Sequence, residues 1–283
     1  MEKPVIISCD SGCDLLPDLR KKYEIPIAHM YIRIGEKEFV DGISITPEEI
    51  YRIYEEEKLL PLTSAIPVPE YTEFFRFWTD RGYEVIHIAL SSELSCTCQN
   101  ALLAAKDLEN VTVLDSLSLS CGGGLLVEKA YRLRDEGFRA EEIIAELRRL
   151  IPLSRTQFIV SDLTFLAKGG RCSTVAALGA NILRIKPEVV MHDGALSVGR
   201  KFRGSEYHCY EHFIRQCLLE VPGTYLGGTA VVYHAGIDEA LFSPLVDMVE
   251  TTGLFEKVHV SRAGSLISSH CGRHTVGFSY QPK

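Results

Sequence analysis

The chain contains no long hydrophobic run, although 46% of its 283 residues are hydrophobic. No segment approaches the about 18 consecutive apolar residues that a membrane-spanning helix requires. Residues 1–8 pass directly into a strand-like sequence, with neither the apolar segment nor the cleavage site of a signal peptide. We therefore expect a cytoplasmic protein with no membrane span.

Basic charge is also scarce, because 30 Lys and Arg residues are outnumbered by 38 Asp and Glu residues and the net charge is −8. A nucleic-acid-binding groove needs a concentrated basic face, and this composition argues against such a partner. The charged fraction of 24% is typical of a globular protein. A chain of 283 residues is long for one domain, which favours two domains with separate cores.

A disulfide framework and a zinc site are both poorly supported. The nine cysteines are an odd number in a long chain without a secretion signal, whereas disulfide scaffolds are short and secreted. His208 and His212 have helical spacing, and Cys271 stands three positions before His274. Neither pair has two further ligands at a spacing that zinc sites use, so we expect no metal and no other cofactor.

The most informative segment present is a cluster of hydroxyl side chains between a predicted strand at residues 85–90 and a helix that begins near Ser95 or Thr97. The free N–H groups and the positive dipole end of that helix, together with these hydroxyls, suit a carboxylate or a phosphate. From this segment alone, the simpler explanation is that Ser95 caps the helix.

Strands and helices alternate in the first half of the chain. Strands are predicted at residues 5–8, 27–34, 85–90 and 111–115, and helices at 15–23, 47–57, 71–81, from 95 or 97 to 105, from 121, and at 141–150. Thr46 is the predicted cap of the helix at 47–57, and residues 60–69 are predicted as a proline-bearing loop. This alternation predicts a three-layer α/β/α domain with a mainly parallel sheet.

The second half of the chain has a different pattern. Strands are predicted at residues 158–160, 188–191, 195–198, 229–234 and 258–260, and helices at 207–220 and 237–251. Asp193-Gly194 is a hairpin-turn sequence, which predicts antiparallel pairing. We therefore expect an N-terminal domain at residues 1–155 and a C-terminal α/β domain with a mixed sheet at 156–283.

A series of short motifs occurs in order along the chain. They are Asp10-Ser11, Asp41-Gly42, Thr63-Ser64, Ser91-Ser92-x-Leu94-Ser95-x-Thr97, Val113-Leu114-Asp115-Ser116, Leu166-x-Lys168-Gly169-Gly170-Arg171, Ile185-Lys186-Pro187 and Ser269-His270-x-Gly272. Together they resemble the DegV family, the bacterial fatty-acid-binding proteins. The resemblance covers essentially the whole chain, and the ordered set is far more specific than any single motif.

The resemblance implies two α/β domains with a long-chain fatty acid buried between them. The residues that it assigns to the fatty acid carboxylate are Thr63, Ser95, His270, Arg171 and Arg203, with Ser64, Thr97 and Ser92 as secondary candidates. It also implies that the chain is a non-catalytic, acyl-carrying subunit. The implied partner is a separate, ATP-using fatty acid kinase subunit that forms an acyl phosphate.

A lipid esterase or hydrolase is one alternative, with Ser95 as nucleophile, His270 as base and Asp115 as the orienting acid. Against it, Ser95 lies in Leu-Ser-Cys, not in the Gly-x-Ser-x-Gly motif. A second alternative is a phosphate-ester or nucleotide binder that uses Cys121-Gly122-Gly123-Gly124 at a helix start. No nucleotide-binding motif follows a strand, so the glycines are better explained by close helix packing.

The run Arg200-Lys201-Phe202-Arg203 is unusually basic for this acidic chain. Its ordinary explanation is a solvated strand edge after the predicted hairpin. The functional hypothesis is that Arg203 turns toward the carboxylate while Arg200 and Lys201 face an acidic kinase subunit.

Overall fold

The computed structural model describes residues 3–175 and 185–283. In the first half the strands are β1 (Val5–Asp10), β2 (Ile27–Ala28), β3 (Tyr31–Ile34), β4 (Lys37–Val40), β5 (Leu62–Ser64), β6 (Glu84–Ala89) and β7 (Val111–Asp115). The helices of that half are α1 (Pro17–Lys22), α2 (Pro47–Glu57), α3 (Val68–Thr79), α4 (Thr97–Ala105), α5 (Ser120–Asp135) and α6 (Ala140–Leu150).

A short 3₁₀ helix at Ile151–Leu153 leads into the second half. Its strands are β8 (Arg155–Ile159), β9 (Lys186–His192), β10 (Ala195–Phe202), β11 (Gly228–Ala235), β12 (Phe255–Arg262) and β13 (Thr275–Gln281). Its helices are α7 (Thr164–Gly169), α8 (Glu206–Leu219), α9 (Glu239–Glu250) and α10 (Ser265–Cys271), with a 3₁₀ helix at Gly223–Tyr225.

The first sheet is parallel throughout, with the strand order β2-β1-β6-β7. Val85 and Ile86 are neighbours on β6 and are both fully buried, one in each of two different core clusters. Because successive side chains of a strand point to opposite faces, this sheet is covered on both sides. The predicted three-layer arrangement around a parallel sheet is confirmed.

The second sheet is mixed, with the order β10-β9-β8-β13-β11-β12. Its β11–β12 pair is parallel, and its other pairs are antiparallel. Asp193 and Gly194 join β9 to β10 with φ angles of 47° and 82°, as a tight hairpin turn requires. The predicted mixed sheet and its hairpin are confirmed, and the division into two domains near residue 155 stays a prediction.

The sequence interpretation was wrong at residues 27–34, which were predicted as one strand. They form two strands in different sheets, since β2 pairs with β1 whereas β3 joins β4 and β5 in a small antiparallel sheet. Hydrogen bonds fix the two residues between β2 and β3. His29 Nδ1 lies 2.7 Å from the Asp41 carbonyl oxygen, and the Met30 N–H donates to Ser11 Oγ at 3.0 Å. The segment at 60–69, predicted as a loop, contains β5.

The glycines at the start of α5 are buried against other parts of the chain. A Cβ at Gly122 would overlap the Thr156 hydroxyl, one at Gly123 would lie 2.6 Å from Cys13 Sγ, and one at Gly124 would overlap the Asp14 carbonyl. The glycines therefore permit close helix packing, as the sequence indicated, and no open phosphate cradle forms around them.

One core cluster is shared by both halves of the chain. It joins Leu90 and Leu94, which follow β6, to Phe158 of β8, Leu196 of β10 and Leu266 of α10. The shared cluster therefore brings side chains from both sheets to one apolar region.

Among the described residues, no helix combines the length and the apolar character needed to cross a membrane.

Candidate functional site

The centre of the candidate site is a contact between Thr63 and His270, which are 207 positions apart in the chain. Thr63 Oγ1 lies 2.9 Å from His270 Nε2. Thr63 stands in the middle of β5, opposite Ile32 of β3, and His270 lies in the last turn of α10. The small three-stranded sheet therefore supplies the hydroxyl, and a short helix of the second half supplies the imidazole.

An apolar cavity opens beside this contact. It has about 540 Å³ of empty space, counting the part open to solvent. Its polar lining residues are Thr63, Ser95, Arg171 and His270. Its apolar lining residues are Met30, Leu90, Leu94, Leu119, Phe158, Leu166, Leu196, Leu266, Ile267 and Cys271. Sequence reasoning named the polar residues but missed this wall, because isolated apolar residues give no signal that distinguishes a cavity from a core.

The imidazole of His270 is held in its neutral form. Burial disfavours the imidazolium, and the positive charge of Arg171 opposes it further, so the pKa of His270 falls to about 4. Its Nδ1 is buried and has no hydrogen-bond partner among the described residues. A Cβ at Gly169, at the end of α7, would overlap this Nδ1, so the glycine of the Lys168-Gly169-Gly170-Arg171 motif makes room for the ring.

Arg171 is anchored by two backbone carbonyls. Its Nε donates to the Leu94 carbonyl at 3.2 Å, and its Nη1 donates to the Gly169 carbonyl at 2.7 Å. A guanidinium has five N–H donors, so donors remain for a bound anion. Because Leu94 immediately precedes Ser95 in the chain, these bonds connect Arg171 to the hydroxyl cluster as well as to His270.

Ser95 lies one residue before Cys96, the N-cap of α4, and lines the cavity. Its Oγ accepts a hydrogen bond from the Thr97 N–H at 3.2 Å, at the start of α4. The secondary candidates lie outside the cavity lining. Thr97 is fully buried with its Oγ1 3.0 Å from the Tyr71 hydroxyl, whereas Ser64 and Ser92 are exposed. The helix start therefore contributes Ser95, and the predicted roles of the other three hydroxyls gain no geometric support.

The structure does not bring Arg203 to the cavity. Arg203 is exposed just after β10 and is absent from the cavity lining. The neighbouring Arg200, interpreted above as a docking residue, is paired instead with the buried Glu188 at 2.7 Å and with Glu220 at 3.0 Å. Strand pairing places Arg200 beside Glu188, and this neighbour is invisible in the local sequence. The predicted roles of Arg200 and Arg203 therefore gain no geometric support and stay predictions.

Two carboxyl groups hold the start of α10, and the sequence analysis gave neither a role. Asp14 Oδ1 accepts from the Gly264 N–H at 2.9 Å, and Asp41 Oδ1 accepts from the Leu266 N–H at 2.9 Å. Burial raises the pKa of Asp14 to about 7 and raises that of Asp41 as well. Asp41 was visible in the Asp41-Gly42 motif, but its partner is in α10, which was not predicted.

The geometry does not assemble a catalytic triad. The Asp115 carboxylate accepts hydrogen bonds from the N–H groups of Ser92 at 3.3 Å and Leu117 at 2.9 Å, not from His270. His270 Nε2 contacts Thr63, and no acid orients its other nitrogen among the described residues. Within residues 3–175 and 185–283, no group of three or more His, Cys, Asp or Glu side chains is arranged to hold a metal ion.

Comparisons with known proteins give one consistent family. The DegV family model matches residues 4–283. A DegV domain-containing protein of Clostridium acetobutylicum is 30% identical over 286 residues, which cover all of both chains. The structure of a fatty-acid-binding DegV family protein from Thermus thermophilus superposes with a TM-score of 0.90 at 29% identity, over 99% of this chain and 100% of that one. A stearic-acid-binding protein from Eubacterium ventriosum gives a TM-score of 0.84 at 25% identity, over 100% of this chain and 99% of that one.

Proposed function

The chain belongs to the DegV family, and we propose that it binds a long-chain fatty acid whose carboxylate contacts Thr63, Ser95, Arg171 and His270. The observation that carries this proposal is the meeting of these four polar side chains at an otherwise apolar cavity. The relatives from Thermus thermophilus and Eubacterium ventriosum are described as binding fatty acid and stearic acid. All of this supports a ligand with one polar end and a long apolar tail.

The chemistry of a fatty acid matches the two parts of the cavity. Its tail favours the apolar wall, since each methylene removed from water contributes about 0.8 kcal/mol. Its carboxylate cannot be buried without partners, and hydrogen bonds from hydroxyl and guanidinium groups provide them. Because the pKa of His270 is lowered to about 4, the imidazole is neutral at pH 7 and Arg171 supplies the positive charge.

The proposal extends to a partner that acts on the bound carboxylate. In such a reaction a carboxylate oxygen attacks the terminal phosphorus of ATP, the acyl phosphate forms and ADP leaves. The sequence contains no phosphate-binding motif after a strand, so a separate kinase subunit supplies the nucleotide site. This chain then acts as a non-catalytic carrier, and an ATP-using partner agrees with the cytoplasmic location expected from the sequence.

The test of fatty-acid binding compares Thr63→Val with Ser64→Ala, because both hydroxyls lie on β5 but only Thr63 lines the cavity. Delipidated protein is titrated with a fluorescent fatty acid, and lipid extracted from the purified protein is identified by mass spectrometry. Thr63→Val should weaken binding by about 1.5–3 kcal/mol, the value of a hydrogen bond to a charged group, while Ser64→Ala should bind as the parent does. Lipid-free parent protein that also takes up no added fatty acid would overturn the proposal.

A further inference from the structure

The apolar cavity has a neighbour deeper in the molecule. Leu119, Phe158, Ile267 and Cys271 line both the cavity beside His270 and a second, smaller void, which has about 260 Å³ of empty space when the part open to solvent is counted. The residues that line only the second void are Tyr233, His234, Ala235, Ala263 and Thr275. Since four residues line both voids, the two voids adjoin, and together they mark an apolar path that an extended tail would follow away from Thr63 and His270.

The far end of this path is closed by a wall only one residue thick. On its other side, His234 also lines an outer groove with Arg20 and Arg262, and Ala263 also lines a polar cavity with Asp14 and Asp41. The wall is tied together by the Ala263 N–H, which donates to the His234 carbonyl at 3.0 Å. Beyond it the surroundings are charged, so an apolar chain gains nothing by passing through.

His234 is fixed in this wall in an uncharged form. Its Nδ1 accepts the Ile237 N–H at 3.1 Å, and its ring packs on Phe242 with 4.4 Å between centroids. Burial, together with the positive charge of Arg262, lowers the pKa of His234 to about 4. Because successive side chains of β11 point to opposite faces of the sheet, this ring lies on the outer side of the wall with Phe242, and the His234 backbone faces the second void.

We propose that His234, Ala235 and Ala263 close the acyl-chain path and set the longest fatty acid that this protein accepts. The inference rests on the proposed function and adds to it the residues that select chain length. Two of the three are alanines, so the end of the path has space that a larger side chain would fill. Protein interiors are close-packed and resist added methylene groups. A fatty acid tail longer than the path must therefore displace the residues of the wall.

Matched variants on one strand test this proposal. Ala235 and Ala230 both lie on β11 and are both buried, but Ala235 lines the second void whereas Ala230 packs in the core under α8 and α9. Ala235→Val and Ala263→Val each fill part of the second void and shorten the path, whereas Ala230→Val adds the same volume elsewhere. Thermal melts establish that each variant is folded before its binding is measured.

The measurement is the dissociation constant of each delipidated variant for saturated fatty acids of increasing length. Ala235→Val should lose affinity for the longest acids, by about fourfold for each methylene left in water, and bind the shorter acids as the parent does. Ala263→Val should show the same loss for the longest acids, and Ala230→Val should keep the parental profile. Identical length profiles for the parent and both path variants would overturn the assignment of the wall but not fatty-acid binding. A parent that binds no acid of the series would overturn the proposed function, and the inference with it.

Discussion

Asp41 and Leu266 are joined by a hydrogen bond of 2.9 Å, from the Leu266 N–H to the Asp41 carboxyl group. Through this bond, a residue that follows β4 in the first half of the chain holds the first turn of α10 in the second half. His270 lies near the other end of the same helix. The position of the imidazole beside Thr63 therefore depends on a buried carboxyl group outside the cavity.

Asp41→Ala should lower both the free energy of unfolding and the affinity for fatty acid. The Leu266 N–H is left without its partner, and an unsatisfied buried donor costs about 1–3 kcal/mol of the free energy of unfolding. Asp41→Asn keeps an acceptor oxygen and should restore most of the loss. Chemical denaturation measures stability, and fatty-acid titration measures the site. Parental affinity in folded Asp41→Ala would show that this bond does not position His270.

Gly169→Ala adds only one methyl group but should strongly impair fatty-acid binding. The added Cβ overlaps His270 Nδ1, so the ring must move away from Thr63. Gly223→Ala is a suitable control, because a Cβ there meets nothing within 4 Å and the backbone is not left-handed. We expect at least a tenfold loss of fatty-acid affinity for Gly169→Ala, which corresponds to about 1.4 kcal/mol, and parental affinity for Gly223→Ala. Equal affinities for the two variants would contradict the packing of His270 against Gly169.

Arg200 should matter for stability and not for docking. Arg200→Met leaves the carboxylate of Glu188, which is 1% exposed, without its main partner. Removing one partner of a buried pair costs about 3–5 kcal/mol, so the melting temperature should fall clearly. Lys201→Met, at the exposed neighbouring position, should leave the melting temperature within a degree or so of the parent, since surface charges contribute little. Similar melting temperatures for the two variants would count against this pair.

The free energy of unfolding of the ligand-free protein should depend on the protonation of His270 in acid. The folded state keeps the pKa of His270 at about 4, against 6.5 for an unperturbed histidine, so the unfolded state binds more protons between these values. The contribution of the neutral imidazole is complete above pH 6.5 and decreases as the pH falls toward 4. The parent should therefore lose up to about 1.4 kcal/mol per pH unit in this window relative to His270→Gln.

Urea unfolding of the parent and His270→Gln across this pH range measures the effect. His208→Gln, at an exposed position, serves as the control and should follow the parent at every pH. A constant difference between the parent and His270→Gln from pH 6.5 to 4 would show that the imidazole is not held neutral by the fold.

Local sequence patterns predicted much of the architecture. Thr46 caps α2 and forms a reciprocal pair of hydrogen bonds with Glu49, so the helix begins where the sequence predicted. The strand predicted at residues 111–115 is β7 without change. By contrast, α7 and α10 span only six and seven residues and lack side-chain caps, so no periodic pattern marked them.

The sequence by itself determined the alternation of strands and helices, the hairpin at Asp193-Gly194 and the residue types able to bind a carboxylate. Only the tertiary structure decided which of those residues meet. It places Thr63 beside His270, which is 207 positions away in the chain. It also pairs Arg200 with Glu188 and leaves Arg203 exposed. The physical reason is that backbone propensity and hydrophobic periodicity act over a few neighbouring residues. The cavity is instead formed by packing between strands and helices that are distant in the chain, and its position depends on all of them together.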